Sequence, residues 1–362
     1  MKIRFLFFLA GALFYGMAGI AQSTIMGQVL DAETKLPLEG ASVFAQNTTL
    51  GTITDKEGNF KLQLKRGGYE LVVSYTGYTS KRVNIEANEN QTINIQLQKE
   101  DNSLSEVVIK SSNEVPDGWE KYGSFFIAHF IGATPNAAQT SLENPDALKF
   151  YYYKKSDKLK VLATEPLQIL NNALGYQLRY SLDSFVYYYK TQMNSYRGNC
   201  LYQALEGDTA QQITWNVNRN KVYRGSRLHF LRSYYDSAVK EEGFTVDMLT
   251  KAGAGKFSRL ANPYDTAYFL VDDSTFDVEL WFPKKASITY TKTPPETEYL
   301  TQFKLPLNVT MQISYVDLLD VIVIKQNGFF IDQKHWINHG YWSWKNLADQ
   351  LPYDYVPTEL NP

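Results

Sequence analysis

The stretch Gly51-Thr52-Ile53-Thr54-Asp55-Lys56-Glu57-Gly58-Asn59-Phe60-Lys61-Leu62-Gln63-Leu64-Lys65 decides how the first hundred residues are read. Phe60, Leu62 and Leu64 alternate with Lys61, Gln63 and Lys65, and a period of two puts three apolar side chains on one face of a strand. Asp55-Lys56-Glu57-Gly58 in front of them is turn chemistry, with Gly58 free to take positive φ. Working outward, Leu71, Val73 and Tyr75 repeat the alternation. The spacing predicts strands at Ile25–Leu30, Ala41–Phe44, Gly51–Thr54, Phe60–Leu64, Tyr69–Tyr75, Ser80–Ile85 and Thr92–Leu97. Gly40, Gly67-Gly68 and Gly77 punctuate them. Short alternating strands at this spacing describe a small sandwich over residues 23–100.

The 362 residues carry 36 Lys+Arg against 38 Asp+Glu, a net charge of −2, so global charge gives no reason to expect a nucleic-acid partner or a polybasic membrane surface. Hydrophobic residues make up 44%, which suits a packed chain. Tyr (26) outnumbers Phe (20), and Tyr combines apolar area with a polar tip and favours strands. All six Trp and all but four Tyr lie from Trp119 onward. The one cysteine, Cys200, excludes an internal disulfide framework and any multi-cysteine metal site.

Residues 1–21 read as a secretory signal: Lys2 and Arg4, the apolar run Phe5 to Ile20, then Gly19-Ile20-Ala21 as a small-x-small cleavage site. That run is short for a spanning helix of about 20 residues. The mature chain is expected to be exported and to have no transmembrane span.

The N-terminal residues also carry a family resemblance. Gly27-x-Val29, Asp31, Pro37-Leu38-x-Gly40-Ala41-x-Val43, Gly51-Thr52-x-Thr54-Asp55-x-x-Gly58-x-Phe60 and Ser74-Tyr75-x-Gly77-Tyr78 closely resemble the carboxypeptidase regulatory-like domain. The resemblance implies a transthyretin-like sandwich, the Ig-like kind of architecture. It also implies the setting of Bacteroidetes outer-membrane proteins, TonB-dependent receptors among them, hence the periplasm, outer membrane or cell surface of a Gram-negative bacterium. Ser105-Glu106-Val107-Val108-Ile109, in a linker at 101–118, is similar to the strand that follows this domain in such proteins. The resemblance implies no activity, because members of the family are accessory sandwiches. The four histidines (His129, His229, His335, His339) lack the His-x-x-Glu spacing of a zinc carboxypeptidase, and the remaining chain is too short for a receptor barrel.

Residues 119–362 form the larger region, expected to be a β-dominated α+β domain. Predicted strands are Phe150–Tyr153, Leu159–Thr164, Tyr176–Leu182, Phe185–Tyr189, Ala267–Val271, Asp277–Phe282, Ser287–Thr291, Tyr299–Phe303 and Val309–Tyr315. Helices are predicted at Gln211–Tyr235, from the partial stripe Val217, Val222, Tyr223, Phe230 and Leu231, and at Trp344–Gln350. Segments such as Glu165-Pro166-Leu167 and Gly340-Tyr341-Trp342-Ser343-Trp344 are similar to uncharacterised exported proteins with the same N-terminal domain, which implies architecture only.

Candidate site residues follow from local chemistry. Arg219, Arg224, Arg227, His229 and Arg232 form a cationic run free of carboxylates. It reads first as a solvated helix face pairing with Glu241-Glu242 or Asp272-Asp273, and second as a grip for anionic glycan or lipid groups. Ser226 and His229 sit three apart, but the strained Gly-x-Ser-x-Gly turn of a hydrolase is absent. His335 and His339 have metal-ligand spacing without a visible third ligand, so no metal and no cofactor is expected. Trp336, Tyr341, Trp342 and Trp344 read as core packing on a half-buried strand, with a sugar-stacking platform as the functional alternative. The chain is thus expected to be a non-enzymatic exported envelope protein, a binding or accessory module for a protein partner or an envelope glycan. The alternative is a carbohydrate-active hydrolase with a carboxylate pair such as Asp272 or Asp273 with Glu279.

Overall fold

Eight strands build the N-terminal sandwich: β1 (Gln22–Asp31), β2 (Ser42–Ala45), β3 (Gly51–Ile53), β4 (Asn59–Lys65), β5 (Gly68–Ser74), β6 (Lys81–Glu86), β7 (Gln91–Thr92) and β8 (Ile95–Leu97). They belong to a computed structural model that describes residues 22–100, 113–249 and 256–358. One sheet runs β4-β1-β7, with β8 also on β1; the other runs β3-β2-β5-β6. Phe60, Leu62 and Leu64 point inward as their alternation requires and meet Leu71, Val73 and Ile85. The single strand expected at Thr92–Leu97 is two short ones, both parallel to β1. Between them the Ile93 carbonyl presses on Gly27, where a Cβ would lie 1.9 Å from that oxygen.

Asp31 closes the turn after β1. Its Oδ1 accepts the N–H groups of Glu33 (2.8 Å) and Thr34 (2.9 Å), and its Oδ2 accepts the Tyr78 hydroxyl (2.6 Å). These bonds, the tyrosine's foremost, hold the carboxyl well below its ordinary value. The expected signal segment 1–21 and the linker strand Ser105–Ile109 lie outside the described residues.

The next segment comprises α1 (Gly118–Phe130), β9 (Thr140–Leu142), β10 (Leu148–Tyr153), β11 (Lys158–Ala163), β12 (Leu167–Asn171), β13 (Tyr176–Tyr188) and β14 (Met193–Ala204). These strands make a six-stranded sheet ordered β10-β11-β13-β12-β9, with β14 on the other edge of β13. β14 pairs along the whole of β13, from Tyr176↔Ala204 to Tyr188↔Met193. On its opposite edge, β12 takes the first half and β11 the second. Phe126 and Phe130 of α1 pack on the inner face against Phe150, Tyr180 and Phe185. The sequence reading missed α1 because its aromatics and Gly123 are poor helix formers. What the helix buries is spaced for a helix, at Phe126 and Phe130.

The rest of the chain adds α2 (Thr209–Tyr223), α3 (Arg227–Tyr235), β15 (Phe244–Leu249), β16 (Phe257–Arg259), β17 (Phe269–Val271), β18 (Val278–Leu280), β19 (Ala286–Tyr290), α4 (Thr297–Gln302), β20 (Gln312–Leu318), β21 (Ile322–Ile324), β22 (Trp336–Gly340) and α5 (Tyr341–Trp344). A five-stranded sheet, β16-β15-β19-β20-β22, and a three-stranded one, β17-β18-β21, share a second buried cluster with α3 and α5. Two strand-or-helix expectations change here. Tyr299–Phe303 lies mostly in α4, which begins at Thr297 after Pro294-Pro295 and the N-cap position Glu296. The helix expected at Trp344–Gln350 is replaced by the single turn of α5 and a 3₁₀ turn at Leu347–Asp349.

The sandwich is fastened to the six-stranded sheet. Asn47 donates its N–H to the Cys200 carbonyl (2.7 Å), and Tyr202 donates to Thr48 (2.9 Å), extending β14 by a parallel bridge. Tyr353 donates to the Asn47 carbonyl (2.8 Å), and Asp354 takes the N–H and hydroxyl of Thr49. At a second point the buried Lys325 ammonium reaches Glu86 of β6 and Asp277. Burial alone would lower its pKa; the bonds from Asp277 and Glu86 outweigh that and raise it. Gly68 makes the approach feasible, since a Cβ there would sit 2.4 Å from the Lys325 side chain.

Lys325→Met leaves the partly buried Asp277 without its cation and is expected to lower stability by about 2 kcal/mol in chemical denaturation, against less than about 0.5 kcal/mol if the latch is idle. For Asp31 the folded pKa is depressed, so its contribution is complete above the unfolded value of 3.8 and drains as pH falls below it. Asp31→Asn is therefore expected to lower the denaturation midpoint at pH 7 and to flatten the loss of stability below about pH 4.

Candidate functional site

The cationic run occupies two helices instead of one. Asp208 caps α2, with its carboxylate on the Gln211 N–H and the Gln211 side chain returning the bond. The buried positions are Trp215, Asn220 and Tyr223, while Val217 of the predicted stripe is exposed. Gly225 then breaks the helix at φ +78°, and the Ser226 hydroxyl restarts it by accepting the His229 N–H (3.1 Å). A Cβ on Gly225 would meet Gln312 at 2.5 Å and the Tyr290 ring at 2.6 Å, so the break is also a close contact.

Around that break the candidate residues bind one another. Trp342 donates its indole N–H to the Gly225 carbonyl (2.7 Å), and Gly225 donates its own N–H to His229 Nδ1 (3.1 Å). With Nδ1 accepting, the imidazole proton sits on Nε2 and points at Glu242 (3.0 Å). Burial lowers the His229 pKa, with Glu242 opposing in part, and the ring stays neutral. Neither ring nitrogen is left to take a proton from Ser226, whose hydroxyl is already a helix cap. The pair is a structural joint.

The arginines satisfy carbonyls. Arg219 donates to Leu174 O (2.6 Å) and Gly175 O (2.9 Å) and lies 4.1 Å from the Tyr176 ring centre. Arg232 donates to the carbonyls of Asn327 (3.1 Å), Tyr355 (2.9 Å) and Tyr353 (2.8 Å). Arg227 sits 5.6 Å from the centre of the Phe330 ring, and Arg224 is exposed at the end of α2. The run is not one solvated face: Arg219 spends two of its five N–H donors and Arg232 three on backbone carbonyls. Glu242 pairs with His229 and Lys292, not with the arginines.

Trp336, Tyr341, Trp342 and Trp344 are each at most 6% exposed, so the sugar-platform alternative is overturned. They pack, as the core reading had it, but from β22 and the turn α5 instead of one half-buried strand. Their N–H groups find partners: Trp336 on Asn338, Trp342 on Gly225 and Trp344 on Gln302 (2.9 Å). His339 is taken by Asp317 (2.9 Å), which also binds Lys285 (2.8 Å). Among the described residues no group of three or more His, Cys, Asp or Glu is arranged to hold a metal. Asp272 caps the β17–β18 turn; the Ser274 hydroxyl and the N–H groups of Thr275 and Ser274 hold its pKa near 2, the opposite of what a general acid needs. Glu279 is exposed on β18.

Two small polar cavities went unseen in the sequence. One, of about 10 Å³, lies at the Lys325 latch beside Arg66, Glu86 and Asp277. The other, of about 30 Å³, is lined by Asn136, Asn218, Lys221, Glu296, Lys345 and Asp349. There Lys345 binds Glu296 (2.5 Å) and Asp349 (3.4 Å), Asp349 also accepts from Thr134 and Asn136 (both 2.7 Å), and Glu296 Oε2 is buried without a protein partner. Each has room for a water or two, not for a sugar. Their residues come from segments far apart in the chain, so no local motif announces them.

Residues 25–109 match the CarboxypepD_reg-like domain. The TonB-dependent receptor SusC of Bacteroides thetaiotaomicron is 32% identical over 112 residues, 31% of this chain and 11% of the receptor. The TonB-dependent receptor P39 of Formosa agariphila is 36% identical over 89 residues, 25% of this chain and 8% of that one. The chain thus spans about a tenth of the length of these curated relatives. Among solved structures, Klebsiella pneumoniae 5-hydroxyisourate hydrolase aligns over 22% of this chain and 91% of its own at 20% identity, with a TM-score of 0.20. No helix among the described residues is long and apolar enough to cross a membrane.

Because the folded His229 pKa is lowered, stability is expected to be full above the ordinary value of 6.5 and to decline as pH falls from there toward the folded value. His229→Gln should flatten that slope in pH-dependent denaturation; an unchanged slope would count against a buried neutral imidazole. Gly225→Ala is expected to cost about 1–3 kcal/mol through its positive φ alone. Burial also pushes the Cys200 thiol up, so a thiol reagent should label it only when the chain unfolds.

Proposed function

We propose that this chain serves the cell envelope as a non-enzymatic accessory or binding module, exported by its N-terminal segment. The observation that carries the reading is the match of residues 25–109 to a domain that the TonB-dependent receptors SusC and P39 also contain. The chemistry of the larger region supports it. Ser226, His229 and Trp342 are engaged in holding the helix break, Arg232 in holding the C-terminal tail and Arg219 in holding the turn at Leu174-Gly175. Of the carboxylates in the hydrolase alternative, Asp272 sits on a turn that holds it ionised and Glu279 is exposed on β18. A module of this kind works through its surfaces.

The test is fractionation joined to a turnover screen. The tagged chain is expected in the envelope fraction, with residues 1–21 removed, and to release no product from chromogenic glycosides or esters. A full-length chain in the cytosol would contradict the compartment. Glycoside turnover lost in Asp272→Asn or Glu279→Gln would contradict the non-enzymatic reading.

A further inference from the structure

The outer face of the six-stranded sheet is used in two different ways. Along the first half of β13 and the second half of β14 it is covered: Leu201 meets Gly51 of the sandwich, and Asp183, pushed out by the bulge between Leu182 and Ser184, pairs with Arg82 (2.6 Å). Along the other half it is open. There register places Tyr153, Lys158, Tyr188 and Met193 in one row across β10, β11, β13 and β14. Tyr188 is 43% and Met193 49% exposed. The Lys158 ammonium lies 4.6 Å from the Tyr153 ring centre and 5.9 Å from that of Tyr188, a cation held between two rings.

More positive charge surrounds the row. The hairpin turns on either side bring Lys154, Lys155 and Lys190 to the same end of the sheet, all exposed, and Lys160 stands one row further in. Among the described residues none of these lysines forms an ion pair. Two nearby carboxylates are engaged, Asp157 with the Tyr152 hydroxyl (2.6 Å) and Asp183 with Arg82, and Glu114 joins Tyr151 by a backbone bridge at the far strand β10. In a chain whose net charge is −2, this is a local excess of cation.

We propose that this open half-face binds an acidic glycan. Lysines supply the charge complement for carboxylate or phosphate groups, and the tyrosine rings give flat apolar surfaces for sugar rings. Four strands at about 4.8 Å spacing make a row about 14 Å long, which suits a short run of sugars. A bilayer fits less well, because Met193 is the one aliphatic projection in the row. The proposal deepens the accessory-module reading and rests on it.

Polygalacturonate is the probe, with dextran, anionic lipid vesicles and single-stranded DNA as comparisons. Binding to polygalacturonate is expected to weaken as salt rises toward about 0.3 M. Lys158→Ala and Tyr188→Ala should each weaken it by roughly fivefold, and Lys154→Ala with Lys155→Ala and Lys190→Ala by roughly tenfold, with unchanged circular dichroism. Wild-type affinity in all three variants overturns the proposal, as does equal binding of dextran or tighter binding of vesicles or DNA. Those failures leave the accessory reading standing. Cleavage of the polymer would instead keep the site and remove the non-enzymatic reading.

Discussion

The antiparallel ladder between β13 and β14 is the constraint on which the rest of this molecule depends. It is long enough to be shared. On the inner face its tyrosines, with Leu178 and Phe185, meet the aromatic face of α1. Its free edge at Leu201 accepts the backbone of the sandwich loop at Asn47 and Thr48. One extra residue at the bulge sends Asp183 outward to Arg82, so a local irregularity in the ladder becomes a fastener between two parts of the chain. The C-terminal tail then closes over the same loop through Tyr353 and Asp354.

Much of the chemistry-bearing side-chain set is spent on holding irregular backbone. Buried carbonyls without partners are costly, and the chain contains several long irregular connections. Arg219 serves the turn at Leu174-Gly175, Arg232 serves three carbonyls including two in the tail, and Trp342 with His229 serves both polar groups of Gly225. This gives a physical reason why a cationic, His-containing run need not mark a ligand site.

The legible parts of the sequence were those where one face alone decides the outcome. Phe60, Leu62 and Leu64 announce β4 because two-residue alternation and a Gly turn agree, and the sandwich strands follow from the same rule. Leu159 and Val161 likewise place β11. The larger region was harder because Tyr and Phe occupy both faces, so the period carries little information. α1 hid behind Gly123 and β-favouring aromatics, and Tyr299 and Phe303 read as a strand where α4 begins at Thr297 after Pro294-Pro295. The break at Gly225 was written in the sequence as Gly-Ser, a helix stop followed by a cap. The open Tyr–Lys row was not legible at all, since it is assembled across four strands whose register comes from pairing.

The central claim is that the sandwich and the β13–β14 sheet behave as one cooperative body. Native-state hydrogen exchange across a denaturant series tests it most directly, read at the amides of Asn47, Tyr202 and Tyr353 together with those of β4 and β13. The account predicts that all five reporters converge on a single opening free energy and are lost in one transition. Exchange of β4 and Asn47 through a separate, lower-energy opening, while β13 stays protected, would contradict it.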